Sequence, residues 1–237
     1  MEFCRESPTP DCQHCVVRAL SLFCGDLNEH EINTFMKIKK GHVYEKNQAI
    51  FYEGNSYEGI YVLCSGSVKL VQSSQTGRQQ ILGVVSPGDL IEKSSLFYPG
   101  IHSATAQALE RSEVSFFHRD EFLEALKTNP HLAINLISVL SREVESGRER
   151  SRQLVFKSAK ERLADILLEL SHTHGIKRNQ TTTIQLILKR GELAEMAGIT
   201  QETVVRLLTL MEKEGVVRLT GKKITILNEE KLYQARG

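Results

Sequence analysis

Residues 190–227 read RGELAEMAGITQETVVRLLTLMEKEGVVRLTGKKITIL. Leu193 to Ile199 has the pattern of a short helix closed by a turn at Gly198, where glycine permits the positive φ that a tight helix–helix turn needs. Thr200 is a natural N-cap for a second helix running to about Glu214, and Gly215 fits the position just past its end. Val204, Leu207, Leu208 and Met211 recur on one side of that second helix. Gln201, Glu202, Val205 and Arg206 fall on its first turns, largely off the apolar side. Beyond it, Val216–Leu219 and Ile224–Leu227 flank Thr220-Gly221-Lys222-Lys223, a two-strand hairpin with a basic tip. The order helix, turn, helix, basic hairpin is a winged helix-turn-helix.

The chemistry follows from the geometry. A recognition helix enters the major groove with its N-terminal residues against base edges. There an Arg makes two hydrogen bonds to guanine O6 and N7, and a Glu accepts from cytosine N4. Glu202 and Arg206 are four apart and share a face. In isolation the pair reads better as a surface ion pair worth a few tenths of a kcal/mol; inside a helix-turn-helix with a basic wing, base reading by Gln201, Glu202, Val205 and Arg206 is the stronger reading. Lys189, Arg190, Thr200, Thr203, Arg218, Lys222 and Lys223 are then candidate phosphate contacts, which position the module without reading sequence.

Working outward, Ala159 to Leu170 carries an apolar side of Leu163, Ile166, Leu167 and Leu170 and reads as a helix. His172 to Gln180 is polar and loop-like, and Ile184–Leu188 reads as a strand. From Asp120 to about Leu154 glycine is nearly absent, and Leu132, Leu136, Val139, Leu140 and Val144 recur at three- and four-residue steps with densely charged flanks from Arg142 to Arg152. That is a long helix whose stripe is either a dimer seam, the favoured reading, or a face laid on its own domain. Residues 41–119 differ: short apolar stretches at Ile60–Leu63, Val68–Val71 and Ile81–Val85 alternate with glycine-marked turns, the pattern of an antiparallel barrel or sandwich. Asn28 followed by Glu31 has capping-box spacing ahead of a short helix. The chain therefore reads as α+β: a cysteine-rich head (1–27), a β-barrel (28–125), a long helix (126–155) and the winged helix-turn-helix (156–237).

The 237 residues suit two domains. Net charge is +1, but residues 156–237 carry net +4 and residues 1–155 net −3, an asymmetry that fits a nucleic-acid partner on the C-terminal part. No apolar run approaches the roughly 20 residues that cross a bilayer, and MEFCRESPTPDC has no apolar signal core, so no membrane contact and a cytoplasmic location are expected. Neither a G-x-x-x-x-G-K-[ST] loop nor an H-E-x-x-H pair is present, and no enzyme is expected. Of five cysteines, Cys4, Cys12, Cys15 and Cys24 crowd into the first 24 residues and Cys64 stands apart. In a reducing compartment that crowding reads as a metal, a cluster or a redox sensor.

Taken together, these segments resemble the CRP/FNR family of bacterial transcription regulators across nearly the whole chain. ITQETVVRLL is similar to the family's recognition helix, and PGDLIEKSSLF followed by HSATAQALE to its effector-domain signature. The resemblance implies a double-stranded β-helix barrel of the cyclic-nucleotide-binding type. It also implies a homodimer on an inverted repeat of double-stranded DNA with TTGA-type half-sites read by Glu202 and Arg206, and RNA polymerase as a partner. Val205 stands where Ser or Gly is frequent.

Within the family, cyclic-AMP binders use a Glu for the ribose and an Arg-Ser pair for the cyclic phosphate. The matching positions here are Lys93 and His102-Ser103, which speaks against cyclic AMP. Cys12-Gln13-His14-Cys15, Cys24 and the following Leu27–Glu31 are similar to the head of the FNR branch, which carries an oxygen-labile 4Fe-4S cluster. The branch's distant fourth cysteine falls on Ser115, so the resemblance implies Cys4, Cys12, Cys15 and Cys24 as ligands, with Cys64 the alternative and otherwise an inert core thiol. A thiol–disulfide switch, a structural zinc, a haem or small-ligand sensor, and no effector remain open beside the cluster.

Overall fold

The computed structural model describes residues 15, 17–18, 21, 23–25, 27–93, 96–97 and 100–236. It divides into two compact units, one ending at Glu145 (apart from Gln79–Ile81) and the other running from Ser146. The boundary falls inside the long helix rather than at its end.

The first unit opens with α1 (Glu29–Ile38), capped by the expected box: Asn28 Oδ1 accepts from the Glu31 N–H and the Glu31 carboxylate accepts from the Asn28 N–H. Seven strands follow: β1 (Lys39–Tyr44), β2 (Ala49–Phe51), β3 (Gly59–Ser65), β4 (Val68–Ser73), β5 (Gln79–Val85), β6 (Thr105–Ala108) and β7 (Ser112–His118). They form two sheets in the orders β1-β7-β3 and β2-β6-β4-β5. Leu63 and Val114 of the first sheet meet Phe51, Val68, Val85 and Ala106 of the second in one core. The outer face of β3 and β7 is covered too. Ile60, Val62 and Phe117 pack there against Phe23, Leu27, Phe35, Phe122, Leu132 and Leu136. With both faces occupied, β7 is buried along nearly its full length, its polar Ser112, Glu113 and Ser115 included.

The helical run read from residue 126 is interrupted. α2 spans Arg119–Thr128, and α3 begins afresh at Pro130 and runs to Phe156. Proline lacks an N–H and is suited to a first helical position, so the break falls there. The stripe expected as a between-chain seam is corrected in part. Leu132, Leu136 and Val139 lie in this chain's own core, and Leu140 packs against it. Val144 remains exposed, together with Ile134 and Ile137 on a different face.

The second unit continues with α4 (Ala159–His174), β8 (Gly175–Arg178), β9 (Thr181–Ile184), α5 (Arg190–Ala197), α6 (Gln201–Lys213), β10 (Val217–Thr220), β11 (Lys223–Ile226) and α7 (Glu229–Gln234), with sheet order β10-β11-β9-β8. Two expectations change. His172–Gln180, read as a loop, is the last turn of α4, strand β8 and the turn into β9; Asn179 takes φ 54° there. The strand read at Ile184–Leu188 instead ends at Ile184.

Candidate nucleic-acid interface

Local sequence builds the helix-turn-helix as read. Gly198 closes α5 at φ 62°, ψ 41°, a left-handed conformation that a Cβ disfavours. Thr200 Oγ1 accepts from the Thr203 N–H at 3.3 Å and caps α6. Val204, Leu207, Leu208 and Met211 are buried, and Gly215 follows the helix at φ 69°. Arg162 of α4 donates from Nε to the Ala197 carbonyl at 2.9 Å and fixes the end of α5.

This anchoring leaves Gln201, Glu202, Val205 and Arg206 exposed at the start of α6. Among the described residues no ion pair joins Glu202 to Arg206. Hydrogen bonds from Glu202's own N–H and from the Thr200 hydroxyl hold its carboxyl below the usual range. At neutral pH the helix therefore presents an anionic acceptor and, one turn on, a guanidinium, the two groups that discriminate C and G edges.

The phosphate candidates separate into two kinds. Lys189, Arg218, Lys222 and Lys223 are exposed, as is Thr200, and the last two lysines lie on the β10–β11 wing. Arg190 instead ties the start of α5 to the wing. Its Nη2 donates to the Gly221 carbonyl at 3.2 Å, and Nη1 is buried with no partner among the described residues. Burial pulls its pKa down, with Glu212 opposing. Thr203 is half-buried, and its hydroxyl is engaged with Thr200 at 3.0 Å. Sequence reading missed Glu212, whose carboxylate accepts from the Leu219 N–H at 2.7 Å and holds β10 against the recognition helix. A Glu late in an amphipathic helix gives no signal of that role.

In the first unit, the positions matched to a cyclic-nucleotide pocket are engaged internally. Lys93 pairs with Glu143 at 2.9 Å. Glu92, not singled out from sequence, is buried and accepts from the Ser103 N–H at 2.8 Å, from the Ser103 hydroxyl at 2.7 Å, and from His102 Nδ1. Burial pushes the Glu92 carboxyl up, but the bonds from His102 and Ser103 outweigh it and hold it below its ordinary value. His102 stacks on Phe51 with ring centroids 3.8 Å apart and planes 8° apart.

Of the head cysteines, Cys4 and Cys12 lie outside the described residues. Cys15 and Cys24 are half-buried and, like Cys64, take part in no disulfide. Ser21 organises this segment. Its hydroxyl donates to the Gly88 carbonyl at 2.5 Å and accepts from the Cys24 N–H at 3.0 Å. Phe23, 1% exposed, is driven into the aromatic cluster of Phe35 and Phe122. The described residues of the head are thus seated on the barrel. Cys15, Cys24 and Cys64 line one apolar cavity of about 50 Å³ between it and the sheet. Among the described residues no three His, Cys, Asp or Glu side chains gather closely enough to hold a single metal ion. Thiols around an apolar cavity are the donor type and the shielding that iron–sulfur clusters take, so the donor set fits.

The comparisons with known proteins agree with this architecture. Residues 42–129 match the family profile described as a cyclic nucleotide-binding domain, and residues 161–235 the one described as a Crp-like helix-turn-helix domain. The chain is 31% identical over 227 residues to the fumarate and nitrate reduction regulatory protein of Yersinia pestis, covering 95% of this chain and 90% of that protein. The protein of the same name in Escherichia coli strain K12 is 30% identical over the same length, with the same coverage. Among solved structures, FixK2 from Bradyrhizobium japonicum superposes with a TM-score of 0.74 at 24% identity, covering 84% of this chain and 98% of that one. The fold is that of a DNA-binding transcription regulator with a cyclic-nucleotide-binding-type β domain. The chain belongs to the CRP/FNR family. No helix among the described residues is long and apolar enough to cross a membrane.

Proposed function

We propose that this chain acts in the bacterial cytoplasm as a homodimer on an inverted repeat with TTGA-type half-sites, contacts RNA polymerase there, and is switched by an oxygen- or nitric-oxide-sensitive 4Fe-4S cluster on its head cysteines. The observation that carries the DNA reading is the exposure of Glu202 and Arg206, unpaired with each other, on the first turns of α6. One such helix reads one half-site; two half-sites about one helical turn apart need a second copy. The exposed Ile134, Ile137 and Val144 of α3 offer the apolar seam for it, in place of the buried stripe.

The cluster would supply a bond set that oxygen or nitric oxide breaks, and Cys12, Cys15 and Cys24 of the head would hold it. Loss of those bonds would shift the head residues seated on the barrel, Ser21 against Gly88 and Phe23 against Phe35 and Phe122. Phe23 packs among the residues under α3, and the Asn135 side chain of α3 bonds its carbonyl, so these two residues carry that shift to the proposed seam. Cyclic-nucleotide control is disfavoured. The Glu92 carboxylate already occupies the Ser103 donors and His102, at positions where a cyclic phosphate would need them.

The test is anaerobic purification followed by iron and sulfide assay, with DNA binding to a TTGA inverted repeat measured before and after air. Iron-containing protein that loses specific binding in air is expected. Iron-free protein that binds its site equally in both conditions would remove the sensing proposal and leave the DNA reading intact.

A further inference from the structure

We infer that Cys64, not Cys4, supplies the barrel-side thiolate to the centre held by the head cysteines. The inference rests on the cluster reading above and adds the identity of one ligand.

Three observations carry it. First, β3 and β7 pair Leu63 with Val114 and then Ser65 with Glu113, so Cys64 is the extra residue of a β-bulge. Cys64 lies two residues beyond Val62, the partner of Ser115, so strand alternation turns its side chain to the face of β7 that carries Ser115, with Sγ 3.1 Å from the Ser115 hydroxyl. Second, that face is not the interior between the two sheets, where Leu63 and Val114 point. It is the face under the head, where Val62 and Phe117 pack. Third, the cavity there is lined by Cys64 together with Cys15 and Cys24, so three thiols from segments about 40 to 50 positions apart in sequence meet one space. Cys64 sits on a strand bonded within the sheet, which holds its thiol in a fixed place.

The geometry also explains how a chain with Ser at position 115 can keep a barrel ligand. Cys64 and Ser115 are hydrogen-bond neighbours on adjacent strands, so a thiol at either position reaches the same cavity wall.

The 237-residue chain is purified anaerobically and loaded with ferrous iron and sulfide. Iron, acid-labile sulfide and the visible absorption band are then measured for the unmodified protein, Cys64→Ser, Cys4→Ser and the double variant Cys64→Ser/Ser115→Cys. We expect Cys64→Ser to lose about tenfold in bound iron and sulfide, Cys4→Ser to load fully, and the double variant to recover. Serine keeps the contact with Ser115, so circular dichroism and melting of the metal-free variants should match the unmodified chain. Were Cys64→Ser to misfold, recovery in the double variant would still decide the matter. Full loading of Cys64→Ser, or a double variant as empty as the single one, overturns the inference while the cluster stands. Failure of the unmodified chain to load overturns the cluster reading and this inference with it.

Discussion

The side-chain amide of Asn135, midway along the first half of α3, donates to the backbone carbonyl of Phe23 at 3.2 Å, across 112 positions of sequence. Both partners are buried. The bond fixes Phe23 to the helix proposed to carry the dimer seam. Asn135→Ala leaves the Phe23 carbonyl buried without a partner, at a cost of about 1–3 kcal/mol. Urea unfolding of the metal-free protein should show that loss. In sedimentation runs the variant should also show a smaller difference in dimer affinity between anaerobic and air-exposed samples than the parent. An unchanged difference would mean the head signals by another route.

Ile137 and Leu136 are adjacent in sequence and opposite in environment. Leu136 is 2% exposed and Ile137 is 61% exposed. Leu136→Ala removes core contacts and should cost about 2–5 kcal/mol of stability. Ile137→Asp should leave the melting temperature nearly unchanged and weaken dimerisation, because a carboxylate in an apolar seam is desolvated without a partner. A dimer of Ile137→Asp as tight as the parent would show that the seam lies elsewhere.

The Glu92 cluster gives a pH dependence whose sign is fixed. The carboxyl's folded-state pKa lies below its ordinary value of 4.5, so its stabilisation is complete above that value and is lost as pH falls through the folded value. Glu92→Gln should therefore melt at lower temperature than the parent at pH 7. The gap should narrow as pH falls below about 4.5 in metal-free protein. A gap constant from pH 7 down to pH 3, about four decades of proton concentration, would mean that the ionised carboxylate is not what Ser103 and His102 hold.

What the sequence disclosed follows from the range of each signal. Gly198, Thr200, Gly215 and the Asn28–Glu31 box are settled within a few residues, and the structure shows each one as read. The α3 stripe was also legible, but a helical period says only that a face is buried. Whether its own barrel or a second chain covers it depends on Phe23, Ile60 and Phe122, which are distant in sequence. β8 was invisible because an exposed edge strand, Gly175–Arg178, has no apolar alternation to announce it. Glu92 meeting His102 and Ser103, and the bulge at Cys64, are products of loop closure and strand register, for which local pattern carries no mark.

Reading and docking are separable at the DNA interface. Arg206 is exposed one turn beyond Glu202, whereas Lys222 lies on the wing, away from base edges in the proposed mode. Arg206→Ala should cost about 1–3 kcal/mol on a TTGA inverted repeat and relax preference at one base pair, since a bidentate contact to guanine is lost. Lys222→Ala should weaken binding to every sequence alike and lower the salt slope by about 1, since one phosphate charge goes unneutralised. Arg190→Ala should differ from both. Its guanidinium holds the wing turn through Gly221, so its removal should loosen the hairpin and reduce specific and non-specific binding together, with a lower melting temperature that Lys222→Ala does not show. Titrations of the three variants on cognate and random duplexes at several salt concentrations separate these outcomes. Equal losses for Arg206→Ala on both duplexes would remove it from the bases and leave it on the backbone.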